Sequence, residues 1–188
     1  MTPHSGSANF NGNGNLRVQV TVQHTGGWTW ESRWLLVTKY LTRLHEIYDG
    51  ADVDSNTDLW AIVNSFMIDV YHLGEAFSHQ LRLEAQVDAT VMSSPELQVC
   101  RDYANTWKHF RRAQNVRVAY IWEDGDLPDG GHFVTIAHRL RDDPAASQTC
   151  IDALALSRAA WDAWRVFMSA NGIGEPVSLT QPYLAHRN

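Results

Sequence analysis

Residues 94–112, SPELQVCRDYANTWKHFRR, hold the pattern that most constrains the fold. Ser94 followed by Pro95 indicates a helix start, because a hydroxyl side chain caps the first turn and proline fits the first helical position. An apolar stripe then recurs every three or four residues, at Leu97, Cys100, Ala104 and Trp107. The segment therefore predicts an amphipathic helix that buries this stripe against other helices.

Three further segments show the same helical spacing of apolar residues. The first carries Trp30, Trp34, Val37, Leu41, Leu44 and Tyr48, and Asp49-Gly50 ends it. The second carries Leu59, Ile62, Phe66, Val70, Leu73 and Phe77 and is expected to run to about residue 84. The last is expected to start at Asp143-Pro144 and end at Asn171-Gly172, with Ile151, Leu154, Trp161, Trp164, Phe167 and Met168 on its apolar face.

Strand patterns lie between the third and fourth helical segments. VRVAYIW and HFVTIAHRL flank the turn-rich EDGDLPDGG and predict an antiparallel hairpin at about 116–140. Residues 18–22 alternate apolar and polar and predict a further strand. We expect a mainly α protein, an antiparallel four-helix bundle with a small antiparallel β-hairpin or three-stranded sheet. Residues 1–14 would be a flexible leader, 15–172 a single domain and 173–188 a C-terminal tail.

Composition narrows the class of protein. The chain has 188 residues and a formal net charge of -6, which suits one globular domain and counts against broad coating of nucleic acid. The Ser/Asn/Gly-rich leader is not a signal peptide, and no apolar run would span a membrane. We therefore expect a cytoplasmic protein with no membrane partner. Two cysteines, Cys100 and Cys150, make neither a disulfide framework nor a zinc site and are expected to be buried.

The polar side of the 94–112 helix is the first candidate site. Five side chains fall within about 100° of arc on a helical wheel: Arg101, Asn105, Lys108, His109 and Arg112. His109 can exchange a proton near neutral pH, and Arg101 and Arg112 can hold an anion. Asn105, one turn before His109, can orient the imidazole or bind a substrate oxygen. An ordinary solvated helix face would show similar residues, so both interpretations stay open.

A weaker alternative is a metal site on the second helix. Asp69, His72 and His79 share one flank of that helix. Ten residues span about 15 Å of helix axis, so Asp69 and His79 cannot reach one ion. Asp69 and His72 could bind a metal if another helix supplied His45 or His109, but a hydrogen bond between Asp69 and His72 is the favoured interpretation. His132 and His138, on the hairpin, are expected to be surface residues.

Two short motifs resemble those of bacterial proteins with HEPN-like helical domains. The motif A-N-x-x-K-H occurs at residues 104–109, and D-x-x-H-L occurs before it at residues 69–73. A hairpin and a final helix rich in Trp and Leu follow in that group, as at 116–140 and 152–167 here. The resemblance covers most of residues 30–170.

This resemblance implies a helical bundle that dimerises. Many HEPN-like proteins are metal-independent ribonucleases of toxin, antiphage or RNA-processing systems, and others are inactive binding modules. Active members use an arginine and a histidine four to six residues apart, whereas seven residues separate Arg101 from His109 here. Arg17 and His24 have six residues between them but lie on or beside the predicted first strand.

Carried onto this chain, the resemblance implies His109, Arg101 and Asn105 as catalytic residues and Lys108 and Arg112 as substrate-binding residues. RNA is the implied partner, a homodimer the implied assembly, and no cofactor is expected. Two other classes stay open. One is a non-catalytic helical module that binds a partner protein, and the other is a metal-dependent helical-bundle enzyme built around Asp69 and His72.

Overall fold

The computed structural model describes residues 29–51, 56–108, 117–128, 130–141 and 148–176. In chain order the elements are α1 Trp30–Tyr48, α2 Asn56–Leu81, α3 Glu84–Ser93, α4 Pro95–Lys108, β1 Arg117–Asp126, β2 His132–Leu140, β3 Thr149–Asp152 and α5 Ala153–Ala170. The expected mainly helical fold with a small antiparallel sheet is confirmed. The predicted first strand at residues 18–22 and the pair Arg17 and His24 lie outside the described residues.

Helix packing follows the predicted apolar stripes. α2 lies against α1 and α4, and α5 packs on α1, α2 and α4. Trp164 of α5 is 1 % exposed and donates its indole N–H to the Val70 carbonyl of α2, with Nε1 and oxygen 3.2 Å apart. Phe77 and Phe167 contact the same indole ring. This aromatic group therefore holds α2 and α5 together.

The chain between α2 and α4 differs from the prediction. α2 was expected to run to about residue 84, but it ends at Leu81 because Arg82 adopts a left-handed conformation with φ of 57°. A separate helix, α3, follows. Val87 is its one fully buried side chain, so the sequence offered no apolar stripe that would have revealed it.

The sheet has the order β1-β2-β3, and both pairings are antiparallel. Its third strand occupies Thr149–Asp152, where the sequence predicted helix, so the expectation that Ile151 belongs to the last helix is wrong. α5 begins at Ala153 because the Asp152 carboxylate accepts a hydrogen bond from Ala155 N at 2.8 Å and caps the first turn. The predicted start at Asp143-Pro144 lies outside the described residues.

Tyr48, the last residue of α1, links three elements. Its hydroxyl accepts a hydrogen bond from Val134 N of β2 at 2.8 Å and donates to the Asp152 carboxylate at 3.0 Å. Burial of this hydroxyl, with the Asp152 charge beside it, raises the pKa of Tyr48 above its ordinary value. Tyr48 therefore ties the end of α1 to the sheet and to the start of α5.

Within the part of the chain that the structure describes, no helix is both long enough and apolar enough to cross a membrane.

Candidate functional site around helix α4

Arg101 and Asn105 lie on the same side of α4. They are one helical turn apart, and both are partly exposed, with 34 % of the Arg101 side chain accessible. Lys108 is the last residue of the helix. His109 and Arg112 fall outside the described residues, so the structure locates the first part of the predicted cluster and not its histidine.

Next to Arg101, Asp102 turns inward and contacts a histidine of the sheet. Its Oδ2 lies 2.9 Å from Nε2 of His138 on β2, and the two side chains are 10 % and 11 % exposed. Its Oδ1 lies 3.4 Å from Nε of Arg101. One carboxylate thus joins the exposed arginine of α4 to a buried imidazole.

The expectation that His138 is a surface residue is wrong. Alternation along β2 was interpreted correctly, but the face that carries His138 is covered by helices instead of facing solvent, and the His138 side chain contacts Asp102 of α4 there. Val134 and Ile136 have the same strand parity and are fully buried. Because alternate residues of a strand share one face of the sheet, the apolar Val134 and Ile136 could have indicated that His138 is buried with them.

The hydrogen bond to Asp102 determines which ring nitrogen of His138 donates and which can accept a hydrogen bond. An ionised carboxylate only accepts hydrogen bonds, so Nε2 of His138 carries the proton in this contact. In the neutral imidazole, Nδ1 then has a lone pair that can accept a hydrogen bond. His138 is also held through its backbone, because the Thr149 hydroxyl donates to its carbonyl at 3.2 Å.

Two cavities flank α4. The first, of about 370 Å³, lies between α2, α3, α4 and α5, and Arg101 lines it together with Glu75 and Asp88. The second, of about 540 Å³, lies between α4, α5 and the sheet. His138, Arg117, Thr149 and Glu96 supply polar groups to the second cavity. Arg101 and His138 therefore contact different cavities although Asp102 joins them.

The candidate residues of α2 have other partners. Asp69 Oδ1 lies 2.9 Å from Nη1 of Arg33, and Glu75 pairs with His72. Burial raises the pKa of Asp69, while the Arg33 and His72 charges oppose that rise. The favoured hydrogen bond between Asp69 and His72 is not formed. Over the described ranges, His, Cys, Asp and Glu side chains make no group of three or more suited to a metal ion.

The two cysteines differ in environment. Cys100 is fully buried against Met67, as expected, and burial raises the pKa of its thiol above the usual range. Cys150 is exposed on β3, so the expectation that it is buried is wrong. Cys150 was expected to be buried on a helix, but residues Thr149–Asp152 form a strand. Side chains alternate between the two faces of a strand, so the helical pattern did not predict which way Cys150 points.

Comparison with protein-family models, with curated proteins and with solved structures finds no match for this chain. The resemblance to HEPN-like domains therefore rests on the residues of its two short motifs.

Proposed function

We propose that the protein is a HEPN-like four-helix bundle that acts on RNA through the exposed side of α4. The observation that carries the proposal is that Arg101 and Asn105 lie one turn apart on that side and are both partly exposed. A guanidinium group suits a phosphate, and a carboxamide can bind a ribose or a base edge. On the helical wheel drawn from the sequence, Lys108, His109 and Arg112 belong to the same cluster.

The contact with Asp102 supports this use of Arg101. Its carboxylate lies beside Nε, and within the described ranges no hydrogen bond or ion pair engages the two terminal nitrogens of the guanidinium. A side chain restrained in this way loses less rotamer entropy when it binds. Asp102 is in turn fixed by His138, so the restraint extends into the core.

The enzymatic form of the proposal is metal-independent cleavage of RNA. The 2′-hydroxyl would give its proton to His109 and attack the adjacent phosphorus while Arg101 neutralises the phosphoryl oxygens. The bond from phosphorus to the 5′-oxygen breaks, and that oxygen takes up a proton. The products are a 2′,3′-cyclic phosphate and a 5′-hydroxyl end. A symmetric homodimer would place two α4 helices around one cleft.

Exposed tryptophans favour a second candidate, a non-catalytic module that binds a partner protein. Trp60 on α2 and Trp122 on β1 are 43 % and 53 % exposed. Tryptophan is enriched at protein interfaces, where one large ring contributes much of the binding energy. This candidate predicts that binding depends on Trp60 or Trp122 and not on Arg101.

Fluorescence anisotropy with a labelled single-stranded RNA tests the proposal. Arg101→Gln should weaken binding and should lower the slope of log affinity against log salt by about 0.7, which corresponds to one lost phosphate contact. Arg43→Gln is the matched control, because Arg43 is an exposed arginine paired with Glu46 on α1. Equal RNA affinity of the Arg101 and Arg43 variants would overturn the proposal.

Cleavage is assayed separately in the presence of EDTA. Wild-type protein should release fragments with cyclic phosphate ends, and His109→Ala should retain RNA binding but lose cleavage. If the wild-type protein binds RNA but does not cleave it, the protein is an RNA-binding module and not a ribonuclease. If Trp60→Ala abolishes capture of a protein partner while Arg101→Gln leaves it unchanged, the second candidate replaces the first.

A further inference from the structure

The second cavity brings an arginine and a histidine together on one face of the sheet. His138 pairs directly with Ala119 in the β1–β2 register, and Arg117 lies two residues before Ala119 on the same face. Such diagonal neighbours are about 7–8 Å apart, and their Cβ atoms are somewhat closer. Both side chains line the cavity, Arg117 from its exposed side and His138 from its buried side.

His138 has one ring nitrogen left for a ligand. The residue is 8 % exposed, and Nε2 is engaged by Asp102. In the described part of the chain no residue binds Nδ1. Among the described residues, Ser157 Oγ is the one buried side-chain polar atom without a partner, so Nδ1 of His138 is open to the cavity that the residue lines, where water or a ligand can donate to it.

The remaining walls are mostly apolar. Gln98 and Thr149 are polar, and the other residues are Pro95, Val99, Ile151, Ala155, Leu156 and Ala159. Glu96 adds one carboxylate, whose Oε1 accepts a hydrogen bond from the Ser94 hydroxyl at 2.7 Å. The cavity thus offers an apolar surface, the Arg117 guanidinium, the Glu96 carboxylate, the His138 ring and the polar side chains of Gln98 and Thr149.

We propose that this cavity binds a single ribonucleotide that carries a 3′-phosphate. The phosphate binds Arg117, and the 2′-hydroxyl donates to Nδ1 of His138. These two ligand groups sit on neighbouring ribose carbons, which matches the diagonal placement of the two side chains. The base lies on the apolar wall, and Glu96 accepts from a base N–H. A volume of about 540 Å³ is in the range of small-molecule sites.

The choice of a nucleotide over another hydroxylated phosphate ester rests on the proposed action on RNA. The residues differ, however. Arg117 and His138 form the nucleotide site, whereas Arg101 and Asn105 mark the RNA-binding side of α4. The nucleotide site and the RNA-binding side of α4 can therefore be disproved separately.

Isothermal titration calorimetry with adenosine 3′-monophosphate tests the site. Arg117→Gln should raise Kd about tenfold or more, because a charge-assisted hydrogen bond is lost. The exposed position of Arg117 makes unfolding of this variant a minor concern. Arg43→Gln, on α1, should leave Kd unchanged. The 2′-deoxy ligand should bind wild-type protein about threefold to tenfold more weakly.

His138→Gln should remove the difference between the ribose and deoxyribose ligands. This variant is checked by circular dichroism, and if it does not fold, the Arg117 variant and the deoxy ligand still decide the question. No saturable binding by the wild type, or equal Kd for wild type and Arg117→Gln, would overturn the nucleotide site. If RNA binding depends on Arg101 but no nucleotide binds, the nucleotide site alone is overturned. If the nucleotide binds through Arg117 but RNA binding does not depend on Arg101, the α4 proposal alone is overturned.

Discussion

Asp102 of α4 and His138 of β2 face each other inside the protein, with Oδ2 and Nε2 2.9 Å apart. The pair joins the helix that carries the proposed RNA-binding residues to the strand that lines the second cavity. A second contact lies beside it, since Ala119 N donates to the Thr106 hydroxyl of α4 at 3.3 Å. The sheet and α4 are therefore linked through polar contacts as well as through apolar packing.

Replacing Asp102 should separate its hydrogen-bonding role from its charge. Asp102→Ala leaves the buried N–H of His138 without an acceptor and should lower the free energy of unfolding by about 1–3 kcal/mol. Asp102→Asn keeps an acceptor oxygen and should lose less. Urea denaturation measures both variants. Asp88→Asn, at an exposed position, is the control and should stay within about 0.5 kcal/mol of wild type. Equal stability of Asp102→Ala and the control would show that the pair contributes nothing.

The sequence predicted the long helices because each buries a stripe that repeats with the helical period. It could not predict α3, which buries Val87 and little else, or β3, which has four residues beside the broad apolar face of α5. The candidate site was likewise predicted only in part. Arg101 and Asn105 were placed on one side of a helix by spacing alone. Asp102 was missed because its partner is 36 residues away in the chain, and helical spacing carries no information about such contacts.

Tyr48→Phe should destabilise the fold by about 1–3 kcal/mol. The change leaves the N–H of the buried residue Val134 without its acceptor at the Tyr48 hydroxyl and removes the donor to Asp152. Thermal and urea denaturation measure the loss. Tyr120→Phe is a suitable control, because that hydroxyl binds Arg139 at a partly exposed position and should matter less. A larger loss for Tyr120→Phe than for Tyr48→Phe would contradict the linking role of Tyr48.

Gly74→Ala should lower stability although alanine is favoured over glycine in a helix by about 1 kcal/mol. A Cβ at this position would lie 2.9 Å from Cζ2 of Trp164, a ring atom that has no room to move in the core. We expect a net loss of about 1–3 kcal/mol. Gly174→Ala meets no atom within 4 Å and serves as the control. A rise in melting temperature for Gly74→Ala would show that α2 and α5 can separate there without cost.

The two thiols should react at very different rates. Cys150 is exposed and should be modified quickly by a disulfide reagent at pH 8, whereas Cys100 is buried and its raised pKa keeps it protonated. Native protein should therefore release about one equivalent of chromophore rapidly, and denatured protein about two. Cys150→Ser should abolish the fast phase. A fast phase that survives in Cys150→Ser would mean that the core around Cys100 opens readily.

Ser157 on α5 should be replaceable by alanine without loss. Its hydroxyl is fully buried and has no hydrogen-bond partner among the residues that the structure describes, so the native state bears the cost of removing it from water. Alanine removes that cost and is a better helix former, and we expect a gain of about 0.5–2 kcal/mol in urea denaturation. Thr38→Val is the matched control, because that buried hydroxyl donates to the Trp34 carbonyl at 2.9 Å and accepts from Nε1 of Trp161 at 3.2 Å. Valine keeps the shape but breaks both bonds, so stability should fall. Loss of stability in Ser157→Ala, equal to that in Thr38→Val, would mean that the Ser157 hydroxyl is satisfied in solution.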